Sequence, residues 1–239
     1  MKLQEDFTTR SRLADLGRWH VSRFVRDVAA TLPPGTLLLD AGAGECAYKS
    51  EFRHCRYVSI DLAVGEEKWN YANLDTLGRL DHLPFREGTF DAILCTQALE
   101  HVEWPRESVS EFFRVLKSGG RLFLTVPMSH AEHQMPHDYF RYTSAGLRSI
   151  CAGGGFRRLE IVPFGGLFTR LAYELPRVLL FIPGTGLGSG TIRLKGLLLF
   201  PVRALAWTIV RLLQLLFLSV EPFDRIKNDP FGWSVVAEK

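Results

Sequence analysis

The sequence is short of cysteine, of clustered charge and, over its first two thirds, of long apolar runs. Its four cysteines (Cys46, Cys55, Cys95 and Cys151) have no close metal or redox spacing, so reduced thiols in a cytosolic protein are expected. No long Lys/Arg run occurs and the net charge is only +3, which argues against a nucleic-acid partner. The opening stretch MKLQEDFTTRSRLADLGRWH is charged and has no apolar centre, so it does not read as a secretory signal. No internal repeat or low-complexity segment is present.

What the chain does have is apolar mass. Apolar residues make up 46% of its 239, enough for one α/β domain with an appendage, or for two small domains. Composition shifts near residue 165. Leu, Phe, Val and Ile dominate 167–220, and ordinary composition returns at 221. This predicts a domain made of 1–164 and 221–239, interrupted by an apolar helical insertion over 165–220. Outside the insertion the spacing predicts a helix over 11–31, then strands at 36–41, 57–61, 90–96, 121–126, 156–163 and 233–237. Further helices are expected starting across 47–52 and over 105–116 and 143–151, with a turn at Gly119–Gly120. Strands alternating with helices argue for a doubly wound, mostly parallel sheet.

The first specific stretch is LLLDAGAGECAYKSEF, residues 37–52. Asp40 ends a buried strand, where ligands of such sheets bind. Gly42 and Gly44 let the backbone turn and approach a ligand, and amides of the following helix can receive a carboxylate or phosphate. The glycine spacing also fits a loose dinucleotide fingerprint. Asp40 discriminates, because a carboxylate repels a pyrophosphate but suits the ammonium and sulfonium of S-adenosylmethionine (SAM). Asp61 ends the second strand and can accept both ribose hydroxyls, a role common to both cofactors.

LDHLPFREGTFDAILCTQALEHV (80–102), followed by FFRVLKSGGRLFLTVP (112–127), resembles the class I SAM-dependent methyltransferases, in particular the UbiE-like (methyltransferase type 11) group. The resemblance covers 36–164 and resumes at 231–237. It implies a Rossmann-like seven-stranded sheet with its last strand antiparallel, and SAM as the cofactor. It further implies that Asp40, Ala41, Gly42 and Gly44 hold the methionine end, Asp61 and Leu62 the ribose side, and Asp81, His82 and Leu83 the adenine. Thr96 and Gln97 would pass beside the cofactor. Two positions depart from the family pattern: Cys46 stands where a third glycine is usual, and Arg79 where an acid is often seen, a role that falls to Asp75 or Asp81.

Beside these stand blander readings. Asp91 starts its strand and reads as structural, and Glu100 and His101 of the LEH box read as structural hydrogen-bonding groups rather than as chemistry. SHAEHQMPHDYFRYT (129–143) follows the TVP strand end, where substrate-side loops emerge. It resembles a segment found in a subset of these methyltransferases associated with surface polysaccharide or lipid pathways. His133, His137 or Asp138 could take a proton from an acceptor hydroxyl, and Arg141 could bind an anion. Alternatively, Asp138 and Arg141 pair to order the loop. No metal is expected, because Pro136 keeps His133 and His137 off a shared helix face.

The expected reaction is methyl transfer to a small-molecule or lipid-linked or glycan acceptor, with oxygen favoured while the residues leave O, N and C acceptors open. The alternatives are a SAM-binding, membrane-associated protein without catalysis and a nicotinamide-dependent oxidoreductase. Residues 167–182 are too short to span a bilayer; 197–218 are long enough, but Arg203 and Arg211 oppose insertion. The expectation is a peripheral protein on the cytoplasmic face of the inner membrane. Its helices would lie in the lipid interface, with Arg side chains snorkelling and Trp207 at headgroup level. The competing reading is a helical pair packed on the protein or in a dimer interface. The sequence does not fix the oligomeric state.

Overall fold

Buried, branched residues build seven strands into one sheet. They are β1 (Leu37–Ala41), β2 (Arg56–Asp61), β3 (Thr76–Leu77), β4 (Phe90–Thr96), β5 (Leu116–Pro127), β6 (Arg158–Pro163) and β7 (Gly232–Glu238). In the computed structural model the described residues are 13, 15–65, 68–181 and 200–239. They fall into two compact units, one of residues 20–164 with 232–239, the other of 165–231 with the described residues up to 19.

In the first unit the strand order is β3-β2-β1-β4-β5-β7-β6. β1 pairs in parallel with β2 and β4, as does β4 with β5, whereas β7 runs antiparallel to both β5 and β6. This is the expected mostly parallel sheet with its last strand reversed. Strand β1 is buried along almost its whole length, as a strand covered on both faces must be. Helix α1 (Leu16–Thr31) precedes it, and residues 11, 12 and 14 of the expected helix lie outside the described residues. Helix α2 (Pro105–Val115) starts on a proline suited to the first turn and buries Val109, Phe112 and Val115 at helical spacing. Helix α3 (Ser144–Gly153) is capped by Thr143, whose side chain accepts from the Gly146 amide. Leu147, Cys151 and Phe156 join α2 and the strand residues Leu39, Ile93, Leu122 and Val235 in one core.

Two local expectations change, and one short strand is additional. Gly119–Gly120 form an irregularity inside β5, not a turn before it, so the register jumps from Phe90↔Leu116 to Ala92↔Arg121. The helix expected from 47 is a single 3-10 turn, Lys49–Phe52. It is too short to present an N-terminal anion site, so any ligand carboxylate must be met by the loop amides themselves. β3 is only two residues long and carries no period to read.

In the second unit, α4 (Leu167–Glu174) continues into a 3-10 segment, Leu175–Phe181, and α5 runs from Phe200 to Val220. Residues 182–199 of the expected insertion lie outside the described residues. The turn after α5 caps α4: Leu167 N donates to Asp224 Oδ2 at 2.9 Å and Thr169 N to Glu221 Oε2 at 2.8 Å. Both carboxylates sit where the helix dipole favours negative charge. Gln214 is buried, and its Nε2 donates to Ala172 O at 2.8 Å, joining the two helices.

Candidate cofactor and acceptor site

Strands β1, β2 and β4 are neighbours, so their carboxyl ends bring Asp40, Asp61 and Thr96 to one edge of the sheet. Asp40 is buried. Its Oδ2 accepts from the Tyr57 hydroxyl, while Oδ1 has no partner among the described residues. Burial pushes its pKa up to about 7, opposed by the Tyr57 hydrogen bond and assisted by Asp61. Burial and the facing carboxylate also push the Tyr57 hydroxyl well above the ordinary phenol range, so it stays a donor. Tyr57 was not legible as a site residue, because mid-strand it has no motif around it.

After β1 the chain turns at Gly42, with φ of 78°. A Cβ there would stand 2.3 Å from the Ala98 Cβ, so only glycine lets the loop lie this close to the end of β4. Cys46 takes a left-handed φ of 57°, so the position that is usually the third glycine keeps a glycine-like conformation despite its side chain. Asp61 is tied to the same loop: Oδ2 accepts from Gly44 N at 2.9 Å and Oδ1 from Ala63 N at 2.7 Å. Each oxygen keeps a further lone pair for a ligand hydroxyl. Ala41 is buried and Leu62 is exposed.

On the adenine side, Asp81 is held bidentately by Arg79 at 2.6 and 2.9 Å, which draws its carboxyl below the usual range. Asp75 is committed elsewhere, accepting from the amide and hydroxyl of Ser59. Leu83 is buried and its amide donates to Glu111 Oε2, whereas His82 is exposed. Thr96 ends β4. Gln97 has a φ of 49°, and its Nε2 donates to Thr125 Oγ1 at 3.2 Å. Asp91 is structural as expected, accepting from Leu37 N and pairing with Lys117.

The loop over 129–143 is not helical. Asp138, its side chain 1% exposed, is gripped by Arg141 through contacts of 2.7 and 2.8 Å and accepts from His133 N. That pairing holds the Asp138 carboxyl well below the ordinary range. Arg141 also donates to the carbonyls of His130, Ala131 and Phe140, so its guanidinium is spent on ordering the loop. The His137 side chain is partly exposed and stands apart from this network, 3.4 Å from the Tyr139 hydroxyl. Its carbonyl is 2.5 Å from His101 Nδ1. Of the four expected acceptor-side residues, three are therefore brought together and one is not. Burial lowers the pKa of both His101 and His133.

Glu100 departs from its structural reading. Its carbonyl accepts from the amides of Tyr139 and Phe140, but among the described residues its fully buried carboxylate has no hydrogen-bond partner on either oxygen. Burial pushes that carboxyl up to about 8.

A doubly wound sheet with an acid–glycine loop after β1 and a second acid after β2 defines a Rossmann-like fold for a nucleoside cofactor. A model of the methyltransferase domain family matches residues 39–124. Demethylmenaquinone methyltransferase of Thermobifida fusca is 32% identical over 125 residues, 48% of this chain and 53% of that protein. A ubiquinone/menaquinone biosynthesis C-methyltransferase of Ruegeria sp. is 30% identical over 105 residues, 38% of this chain and 42% of that one. The alignments thus span about half the length of these curated relatives or less. The crystal structure of a SAM-dependent methyltransferase from Archaeoglobus fulgidus shares the fold, with a TM-score of 0.53 at 17% identity over 92% of each chain. Residues 39–124 thus carry a methyltransferase domain similar to those of the UbiE-like, class I SAM-dependent enzymes, which supports S-adenosylmethionine as the cofactor. The nicotinamide reading is set aside accordingly. The family match holds Asp40, Asp61, Asp81 and Thr96 but ends before the loop over 129–143 and before the insertion.

The residues present fit that cofactor. Asp40 offers an unpartnered buried oxygen to an ammonium, Gly42 leaves the space a Cβ would fill, and Asp61 is fixed with lone pairs to spare.

Proposed function

We propose that the protein transfers the methyl group of SAM to an oxygen of a small-molecule or lipid-linked acceptor, glycan-bearing acceptors included, at the cytoplasmic face of a membrane. The observation that carries this reading is the fixed carboxylate pair: Asp40 buried with one oxygen unpartnered, and Asp61 pinned to the Gly44 amide. When bound, SAM supplies an electrophilic methyl group on a sulfonium. Asp40 takes the ammonium, the Gly42–Gly44 backbone takes the carboxylate, and Asp61 takes the ribose hydroxyls. Leu83 packs against the adenine, with Asp81 and His82 at its edge. Thr96 and Gln97 border the methyl-bearing side. The protein contributes alignment and exclusion of water, which suffice for a direct displacement.

His133, His137, Asp138 and Arg141 form the acceptor side. Asp138 is a brace rather than a base, because Arg141 occupies both of its oxygens and holds its carboxyl so far below the ordinary range that it has little affinity for a proton. The relatives named for menaquinone and ubiquinone methylation have quinones as acceptors; an apolar acceptor agrees with the insertion, whose outer face favours lipid. Along α5, Val202, Leu205, Ile209, Leu212 and Leu216 are exposed at spacings of three and four, one stripe without a charge. Peripheral attachment follows better than a span. β6 and β7 pair with each other, so the chain leaves and rejoins the same sheet, and among the described residues one helix, Pro201–Phe223, is long and apolar enough to cross.

Incubating the protein with SAM carrying a labelled methyl group and a membrane lipid extract tests the reading. Label should enter the organic phase or the lipid-linked fraction. SAM binding without label in any fraction would leave a non-catalytic, membrane-associated SAM-binding protein.

A further inference from the structure

Two half-buried histidines face each other in a way that neutral imidazoles do not tolerate. His101 Nδ1 lies 2.5 Å from the His137 carbonyl. His133 Nδ1 lies 3.1 Å from the Ala131 carbonyl and 3.4 Å from Asp138 Oδ2. These oxygens only accept, so both Nδ1 atoms carry the ring hydrogen. Both Nε2 atoms are then lone-pair acceptors, yet they stand 3.1 Å apart. Two acceptors at that distance repel unless something electropositive lies between them.

The third member of the cluster supplies an independent sign of a missing partner. Glu100 is 0% exposed, and neither of its carboxylate oxygens has a hydrogen-bond partner among the described residues. One of those oxygens and one nitrogen from each histidine lie within 4.8 Å of one another. A buried acid with no donor is costly, and a cation repays that cost.

We propose that Glu100, His101 and His133 form a binding site for a divalent transition-metal cation of the zinc class. The ligands are the two Nε2 atoms and a Glu100 oxygen. Two imidazoles and one carboxylate are the donor set of three-ligand zinc sites, which leave a fourth position to water or substrate. Zn–N bonds of about 2.0–2.1 Å put neighbouring ligand nitrogens about 3.3 Å apart in a tetrahedron, so the pair has only a few tenths of an ångström to open. The outer shell is already built. Carbonyls fix both ring tautomers, and Asp138, locked by Arg141, fixes the His133 backbone through its amide. The His133 side chain is 30% exposed, which gives the ion an entry path. Sequence spacing concealed the site, because the ligands come from two segments and the pair that sequence suggested, His133 with His137, is not the pair that meets.

The test uses the full-length protein, stripped with a chelator and titrated with zinc chloride by calorimetry with no SAM or acceptor present, so it does not depend on the methyl-transfer reading. One tight equivalent should bind, and X-ray absorption should show two imidazole nitrogens. His133→Ala and Glu100→Gln should each weaken binding by more than the roughly 10- to 100-fold typical of an outer-shell change. His137→Ala keeps the carbonyl that orients His101 and should bind as the wild type does. If Glu100→Gln fails to fold, His133→Ala, on the partly exposed loop, decides alone. No tight zinc uptake, an absorption spectrum without imidazole ligands, or unchanged affinity in His133→Ala would overturn the proposal.

Discussion

At the scale of single residues, the cofactor edge depends on two acids that do different work. Asp61 makes charge-assisted bonds to the Gly44 and Ala63 amides and keeps lone pairs for the ribose, so Asp61→Ala removes both the ligand contact and the brace of the loop. SAM affinity by calorimetry should fall about tenfold to a hundredfold, since bonds to charged groups are worth about 1.5–3 kcal/mol each. Asp40 adds a pH signature. Its pKa in the free protein is about 7, against 3.8 for an unperturbed carboxyl, because burial penalises the charge. A cationic ligand binds the ionised form, so below pH 7 a proton must first leave. Affinity for S-adenosylhomocysteine, which keeps the ammonium, should therefore fall about tenfold per pH unit below 7 and level off above it. Asp40→Asn should bind weakly with no step near 7; a step that survives in this variant would assign the titration to another group. Gly42→Ala puts a Cβ 2.3 Å from Ala98 at a φ of 78°, so thermal denaturation should show a loss of about 1–3 kcal/mol.

At the scale of elements, the loop over 129–143 is held by one buried pair. Asp138→Ala leaves Arg141 and the His133 amide without their acceptor, which costs about 3–5 kcal/mol for a buried pair; the lower end applies here because Arg141 is partly exposed. Turnover should collapse while SAM affinity stays near wild type, because Asp40 and Asp61 belong to other elements. If His133→Ala, His137→Ala, Asp138→Ala and Arg141→Ala all keep normal rates on the true acceptor, the loop is only structural. The elements most legible in the sequence share this independence from context. β4 and α2 match their expected bounds to within a residue because one is a near-continuous apolar run and the other buries residues at an uninterrupted helical spacing, and Asp40, Gly42 and Asp61 stand at the expected strand ends and turn because such positions carry their own chemistry. The errors lie where long-range contacts decide. β3 forms only because Ile60 and Asp61 pair with it, the helix after Gly44 stops after one turn, and Glu100 looked structural because only its carbonyl is. Nor does any spacing reveal that Tyr57 holds Asp40 or that Glu111 takes the Leu83 amide.

At the scale of the whole molecule, the insertion is a folded helical unit with an exposed, uncharged apolar stripe, and this changes the membrane argument. Within the protein, the Arg211 guanidinium is already engaged. It donates to Leu13 O and to Gln214 Oε1 and lies over the Trp207 ring, so its charge is turned away from the Leu205–Ile209–Leu212–Leu216 stripe. The charge cost that opposed a full span therefore does not fall on the outer face, where Leu205 is 63% and Leu212 61% exposed. Full-length protein should float with anionic liposomes through this face. The sheet supplies a clean counterpart: Phe164 N donates to Gly232 O at 2.8 Å, so the two ends of the second unit are already adjacent between antiparallel strands. Replacing 165–231 by a short Gly/Ser hairpin link should leave a protein that binds SAM and stays at the bottom of the gradient. A finer variant, Leu205→Glu with Leu212→Glu, alters exposed positions alone and should shift stability by no more than about 0.5 kcal/mol per site while abolishing flotation. Flotation unchanged in that double variant, or absent in a monomeric, detergent-free full-length protein, would mean that the stripe meets something other than lipid.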